Sequence, residues 1–327
     1  MMLILAGLLG MLALGSIMLI EPSSTSEGDD ELADNNDELE QVNTAQMGDV
    51  STDFLSYVDE DGATQTIENE TTEEGDLLFG TNDADTLAGD GGDDNVMAGG
   101  GSDAIDGGTG NDVLHGNGGD DTLTGGAGFD ALFGDQGDDA LNGGGGNDTL
   151  IGNVGEDDLS GSSGNDSLIG GEGFDALRGG RGDDTLVGNA GDDTLDGGEG
   201  GDLLMAGDGN DLLDGRETNG DSVDFLNGGD GDDTIFAGAG DQVSGGHGAD
   251  ITVLDSELLE HAQIWDFESG QDTLVVLYDA NSLAPEISIS QDPDTNGHWL
   301  VQADGETVAN IAGDAPSLSD ISLIERT

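Results

Sequence analysis

The chain has 327 residues, of which 73 are Asp or Glu and four are basic, giving a formal charge of −69 at pH 7. That charge excludes nucleic acid and anionic lipid as attractive partners, and makes the chain repel itself wherever no cation neutralises it. There is no Cys and no Lys, the basic residues being Arg178, Arg181, Arg216 and Arg326, so disulfide scaffolds, thiol nucleophiles and Schiff-base lysines are excluded as well.

Residues 2–20 form an uncharged run dominated by Leu, Met, Ala, Gly and Ile, long enough to cross a bilayer as one helix. Two readings stay open. No basic residue precedes the run, which favours an uncleaved membrane anchor with the acidic bulk outside. The small residues of Ala13-Leu14-Gly15 stand at cleavage spacing, which favours a removed export signal. Residues 21–72 are rich in Asp, Glu, Ser, Thr and Asn and read as an acidic disordered linker. Its one apolar patch is Phe54-Leu55-Ser56-Tyr57-Val58.

Residues 73–253 are a repeat array. Fifteen consecutive nine-residue units run without insertion from 80 to 214, each close to G-G-x-G-x-D-x-U-x with U apolar. The sixth position is Asp in every unit: Asp85, Asp94, Asp103, Asp112, Asp121, Asp130, Asp139, Asp148, Asp157, Asp166, Asp175, Asp184, Asp193, Asp202 and Asp211. Two residues on, each unit carries an aliphatic residue, from Leu87 to Leu213. Upstream, Asp76 and Leu78 mark a partial unit. Downstream, a thirteen-residue unit ends in Asp224 and Leu226, and residues 228–236 return to register with Asp233. Residues 237–244 are one residue short and read as having lost the Asp-x-U spacing, before residues 245–253 close with Asp250.

Glycine permits φ > 0, so each unit divides into a six-residue turn and a three-residue strand whose middle residue points inward. One apolar residue per strand makes no core by itself. Two units per coil, with coils stacked, bring those residues into two facing columns. The same stacking lines up the sixth-position carboxylates at the strand spacing of ~4.8 Å. Two unit charges at that distance repel by roughly 3–4 kcal/mol at an effective dielectric of about 20. A hard divalent cation held by carboxylate and carbonyl oxygens removes the repulsion.

Units such as Gly107-Gly108-Thr109-Gly110-Asn111-Asp112-Val113-Leu114-His115 and Gly143-Gly144-Gly145-Gly146-Asn147-Asp148-Thr149-Leu150-Ile151 resemble the RTX, or haemolysin-type, calcium-binding nonapeptide. The resemblance implies an all-β protein: a parallel β-roll, that is a right-handed β-solenoid, with calcium between turns of successive coils. Its implied ligands are the Asp residues named above, together with Asp224, Asp233 and Asp250, and turn carbonyls. Magnesium fits less well, because it demands six short bonds and keeps its waters. The array is then expected to be disordered at cytosolic calcium and folded at the millimolar calcium found outside cells. The pore-forming region and acylated lysines of RTX cytolysins are missing. The third positions Asn82, Gly91, Gly100, Thr109, Gly118, Ala127 and Gln136 lack the Thr ranks of ice-binding RTX modules. Phe129 and Phe174 occupy normally polar fifth positions, reading either as covers for neighbouring turns or as a contact surface.

Over residues 254–327 glycine drops out and period-2 alternation appears. Residues 264–267 and 273–278 flank Gly270-Gln271-Asp272. Residues 287–290 and 298–302 surround Asp294-Thr295-Asn296-Gly297, and Asp304-Gly305 reads as a two-residue hairpin turn into residues 308–311. This predicts a small antiparallel β-meander that caps the open end of the solenoid. The run Ile264-x-Asp266-Phe267-x-x-Gly270-x-Asp272-x-Leu274 resembles the segment that follows RTX arrays in exported proteins, which implies type I export signalled from this end. The tail, residues 321–327, is too short and generic to add to that implication.

His115, His247, His261 and His298 are scattered, with no H-E-x-x-H pair and no G-x-S-x-G elbow. The chain is therefore expected to be non-enzymatic: a calcium-binding roll, secreted or displayed on the cell surface. The alternative is a calcium-dependent adhesin or matrix protein whose C-terminal β region binds a protein or polysaccharide partner.

Overall fold

The computed structural model describes residues 66–67, 75–217, 222–255, 261–280 and 282–326. The expected N-terminal helix at 2–20, the apolar patch at 54–58 and all of the linker except the short strand Thr66–Ile67 lie outside them.

The nine-residue period dictates the winding. Each unit supplies one strand, paired in parallel with the strand two units on, so that Leu114 lies beside Leu132, Leu132 beside Leu150 and Leu150 beside Leu168. Alternate units fall into two sheets, one of 13 strands and one of 14. The result is an all-β parallel solenoid with two units per coil. The eighth-position residues from Leu87 to Leu213 are buried, at 3% exposure or less, and run as one continuous core between the sheets. Each such burial contributes roughly 1.5–3 kcal/mol.

The strands are longer than the three residues expected from the turn glycines. Most have six, as in Thr149–Val154 and Ala176–Arg181, because the Gly-Gly-x that opens the next unit continues the ladder. The turn shrinks to three residues such as Gly146-Asn147-Asp148. Gly146 has φ +140°, and a Cβ there would lie 1.4 Å from the carbonyl oxygen of Gly128, one coil earlier. Only glycine passes so tight a corner.

The parallel ladders cross residue 253. Ile251–Asp255 pairs in parallel with Thr273–Asp279, which pairs in parallel with Ile321–Arg326. Gln242–His247, Ala262–Phe267 and Glu306–Gly313 extend the other sheet in the same way. Among the described residues antiparallel pairing is confined to three strands, Ile287–Gln291, His298–Ala303 and Glu306–Gly313, so the expected meander is smaller than residues 254–327. Asp304-Gly305 makes the expected hairpin turn, with φ +52° and +90°. The strands flanking Gly270-Gln271-Asp272 do not pair with each other. Ile264 and Leu274 instead enter the core from opposite sheets, because Asp272-Thr273-Leu274 repeats the Asp-x-U triplet and winds on as another coil. Among the described residues no helix is long and apolar enough to cross a membrane.

Candidate metal centre

Each corner ends in a sixth-position Asp, and alternating units place these residues in two files. All eighteen assigned from the sequence are buried, at 5% exposure or less. Backbone hydrogen bonds string them together. The N–H of Asp112 donates to Oδ1 of Asp130 at 2.9 Å, that of Asp130 to Asp148 at 2.8 Å and that of Asp148 to Asp166 at 2.8 Å. In the second file Asp121, Asp139, Asp157 and Asp175 are joined in the same way.

The second carboxylate oxygen is the informative one. Oδ2 is buried without a hydrogen-bond partner in eight residues of one file, Asp94 to Asp224, and nine of the other, Asp103 to Asp250. An unpaired buried acceptor costs about 1–3 kcal/mol, and more when it is ionised. This oxygen leans over the first glycine of its own unit: a Cβ on Gly143 would sit 2.5 Å from Asp148 Oδ2. The opening glycine is thus what leaves room for the carboxylate.

At the corner the N–H of Gly146 donates to the Ser163 carbonyl at 2.9 Å and that of Asp148 to Asp166 Oδ1 at 2.8 Å, while Asn165 one coil on donates to Asn147 Oδ1 at 3.0 Å. The carbonyls of Gly146 and Asn147 receive no backbone hydrogen bond. The corner therefore offers a bare carboxylate oxygen and bare carbonyl oxygens, the all-oxygen donor set of a hard cation. Among the described residues no three His, Asp or Glu side chains gather at ligating spacing, so carbonyls must complete a shell of about six to eight oxygens.

Electrostatics points the same way. Burial, and then repulsion from Asp202, Asp166 and Asp183, pushes Asp184 up to about 7 against the opposing Asp166 N–H bond. Burial and the neighbouring Asp241 and Asp202 carry Asp224 to about 8. Asp121, Asp139 and Asp157 rise to about 6, again through burial first and adjacent carboxylates after it. Without a cation, the fold disfavours its own charges.

The sequence reading missed two members of the files. The Asp224 N–H donates to Asp241 Oδ1 at 3.1 Å and the Asp250 N–H to Asp272 Oδ1 at 3.2 Å. Asp241-Gln242-Val243 does keep the Asp-x-U spacing, with both Asp241 and Val243 buried, so the missing residue of that unit belongs to its turn. A search for Asp-x-U alone, without the glycines, finds both members.

Three file ends are closed by backbone. Oδ2 of Asp85, Asp241 and Asp272 accepts the N–H of Thr81, Gly238 and Glu268 at 2.6, 2.6 and 2.7 Å. Asp85 thus stands with the other assigned residues in its file but does not share their bare oxygen.

His115 stacks on Phe133, ring centroids 4.4 Å apart, and His298 bonds Asn310 at 2.9 Å. Phe129 and Phe174 project into solvent, 65% and 58% exposed, rather than covering turns.

No curated protein matches the chain. The family model of the RTX calcium-binding nonapeptide repeat matches residues 70–105, 97–132, 133–168, 169–204, 196–219 and 218–251, a continuous stretch of more than half the sequence. That stretch contains every Asp with a bare buried oxygen, and the chain belongs to the RTX calcium-binding nonapeptide repeat family.

Proposed function

We propose that this protein is an exported, non-enzymatic calcium-binding solenoid, secreted or held at the cell surface, whose folding is driven by the ions it binds. The carrying observation is the pair of Asp files with seventeen bare, buried Oδ2 atoms. Sixth-position Asp residues and corner carbonyls hold calcium between successive coils. The ion cancels repulsion along the file and satisfies acceptors that have no protein donor. Export is favoured because millimolar calcium is found outside cells and a chain of −69 charge needs it to fold.

The test is far-UV circular dichroism of the whole chain titrated with calcium, then with chelator, with magnesium in parallel. A reversible, calcium-selective gain of strand supports the reading. Strand content indifferent to chelator removes it.

A second reading, an adhesin whose C-terminal strands bind a polysaccharide, draws on Trp265, which is 50% exposed with His298 edge-on at 6.2 Å. Trp265→Ala separates the two: unchanged calcium-induced folding with lost surface attachment favours the adhesin.

A further inference from the structure

The outer faces of the two sheets differ in a way that neither core nor metal requires. In the 13-stranded sheet the ninth-position column is polar from Asp106 to Asp214, through Thr124, Asn142, Ser160, Arg178 and Asp196 in register. In the 14-stranded sheet the same column is apolar over five successive coils: Phe133, Ile151, Ile169, Val187 and Met205, each beside the next. These side chains alternate with buried neighbours, so they face outward, and all five are partly exposed. Beyond His115 at one end the column resumes with Met97 and Phe79, 41% and 40% exposed, and beyond Asn227 and Ser244 at the other it reaches Trp265. The adjacent seventh-position column is uncharged through Ala131, Thr149, Ser167, Thr185 and Leu203.

We propose that this face packs on the same face of a second copy, sheet on sheet, about a two-fold axis through the Ile169 strand. The proposal rests on the calcium reading, because the columns come together only in the folded solenoid. Charge selects the face. On a chain of −69, a like-charged copy approaches closely only where carboxylates are few: the two columns hold none from Ala131 to Met205, and Asp135, beside them on the same face, is engaged by His115 and Asn117 at 3.3 and 3.2 Å, whereas the corners and the opposite face carry many. Size permits it. From Phe79 to Trp265 there are ten strand steps in the sheet, about 48 Å at ~4.8 Å each. Two columns with their side chains are about 12 Å wide, giving roughly 600 Å² per copy and about 1,200 Å² in all. That is the lower bound of a stable specific interface, with the apolar stretch from Phe133 to Met205 at its centre and polar positions toward both ends, as core and rim of an interface are arranged.

Geometry closes the contact. Side-chain rows at uniform strand pitch settle between the rows of a facing sheet about 10 Å away. A two-fold through Ile169 sets Ile151 against Val187, and Phe133 against the flexible Met205, in a self-complementary contact that ends at two copies.

The experiment is sedimentation of the whole chain in calcium across a range of concentrations, with circular dichroism on the same samples. The variants are Ile169→Glu, Ile169→Cys and, on the outer face of the other sheet, Thr124→Cys. Expected are a dimer for the unaltered chain and association weakened at least ~10-fold by Ile169→Glu, which sets two like charges together at the axis, with calcium-induced strand unchanged. Oxidation should link Ile169→Cys into covalent dimers and leave Thr124→Cys single. A folded monomer, a dimer indifferent to Ile169→Glu, or equal cross-linking of both cysteine variants overturns the dimer alone. A folded monomer that binds neutral phosphatidylcholine vesicles overturns it in favour of a lipid surface. Failure of calcium to induce strand overturns the calcium reading, and the dimer with it.

Discussion

Stripping calcium at neutral pH should unfold the solenoid, and acidifying the metal-free chain should fold it again. The sign follows from proton counting. The file carboxyls have folded-state values above the ordinary 3.8, reaching about 6 at Asp121, Asp139 and Asp157 and about 7 at Asp184 and Asp193, chiefly through burial. Between those limits the folded chain binds more protons than the unfolded one. Metal-free stability is therefore full below about pH 4 and falls as pH rises through about 6 to 8.

Each group raised to about 6 disfavours the folded state by roughly 3 kcal/mol at higher pH, and each raised to about 7 by roughly 4. Water at the corners and joint titration along a file cut these figures by about half. Four or five such groups still match the ~5–15 kcal/mol that holds an ordinary domain together. Circular dichroism of the chelator-treated chain from about pH 4 to 8 should show strand lost as pH rises, and calcium added at neutral pH should restore it. A metal-free spectrum that is flat across this range, or strand that grows toward alkaline pH, refutes the reasoning.

Two substitutions probe the corners more locally. Asp148→Asn keeps the Oδ1 acceptor that holds the Asp130 N–H at 2.8 Å but removes the buried charge; calorimetric titration should count fewer bound calcium ions, and the metal-free chain should tolerate neutral pH better. Asp85→Asn should leave the calcium count unchanged, since Asp85 Oδ2 is already bonded to the Thr81 N–H. Gly146→Ala forces a Cβ against the Gly128 carbonyl at φ +140°, a strain of about 1–3 kcal/mol or more; the calcium midpoint for strand formation should move to higher concentration.

The period-nine Asp and aliphatic columns determined, without any coordinates, that the chain winds as a solenoid with two units per coil. A column of single apolar residues has no other way to become a core. The same columns named the buried Asp set, because stacking at a fixed period places equal positions side by side. Where the glycines thinned out, the pattern lost legibility: Asp241 and Asp272 sit in units whose turns are shortened or rewritten, and only their Asp-x-U triplets survive.

Tertiary structure alone decided three things. It set the strand length, because Gly-Gly-x joins the ladder only when a coil lies beside it. It carried the parallel ladders past residue 253, because alternation of apolar residues marks a strand without naming its neighbour. It also showed which carboxylate oxygens lack donors, since a hydrogen bond to the N–H of a residue one coil away exists only after the coils have stacked.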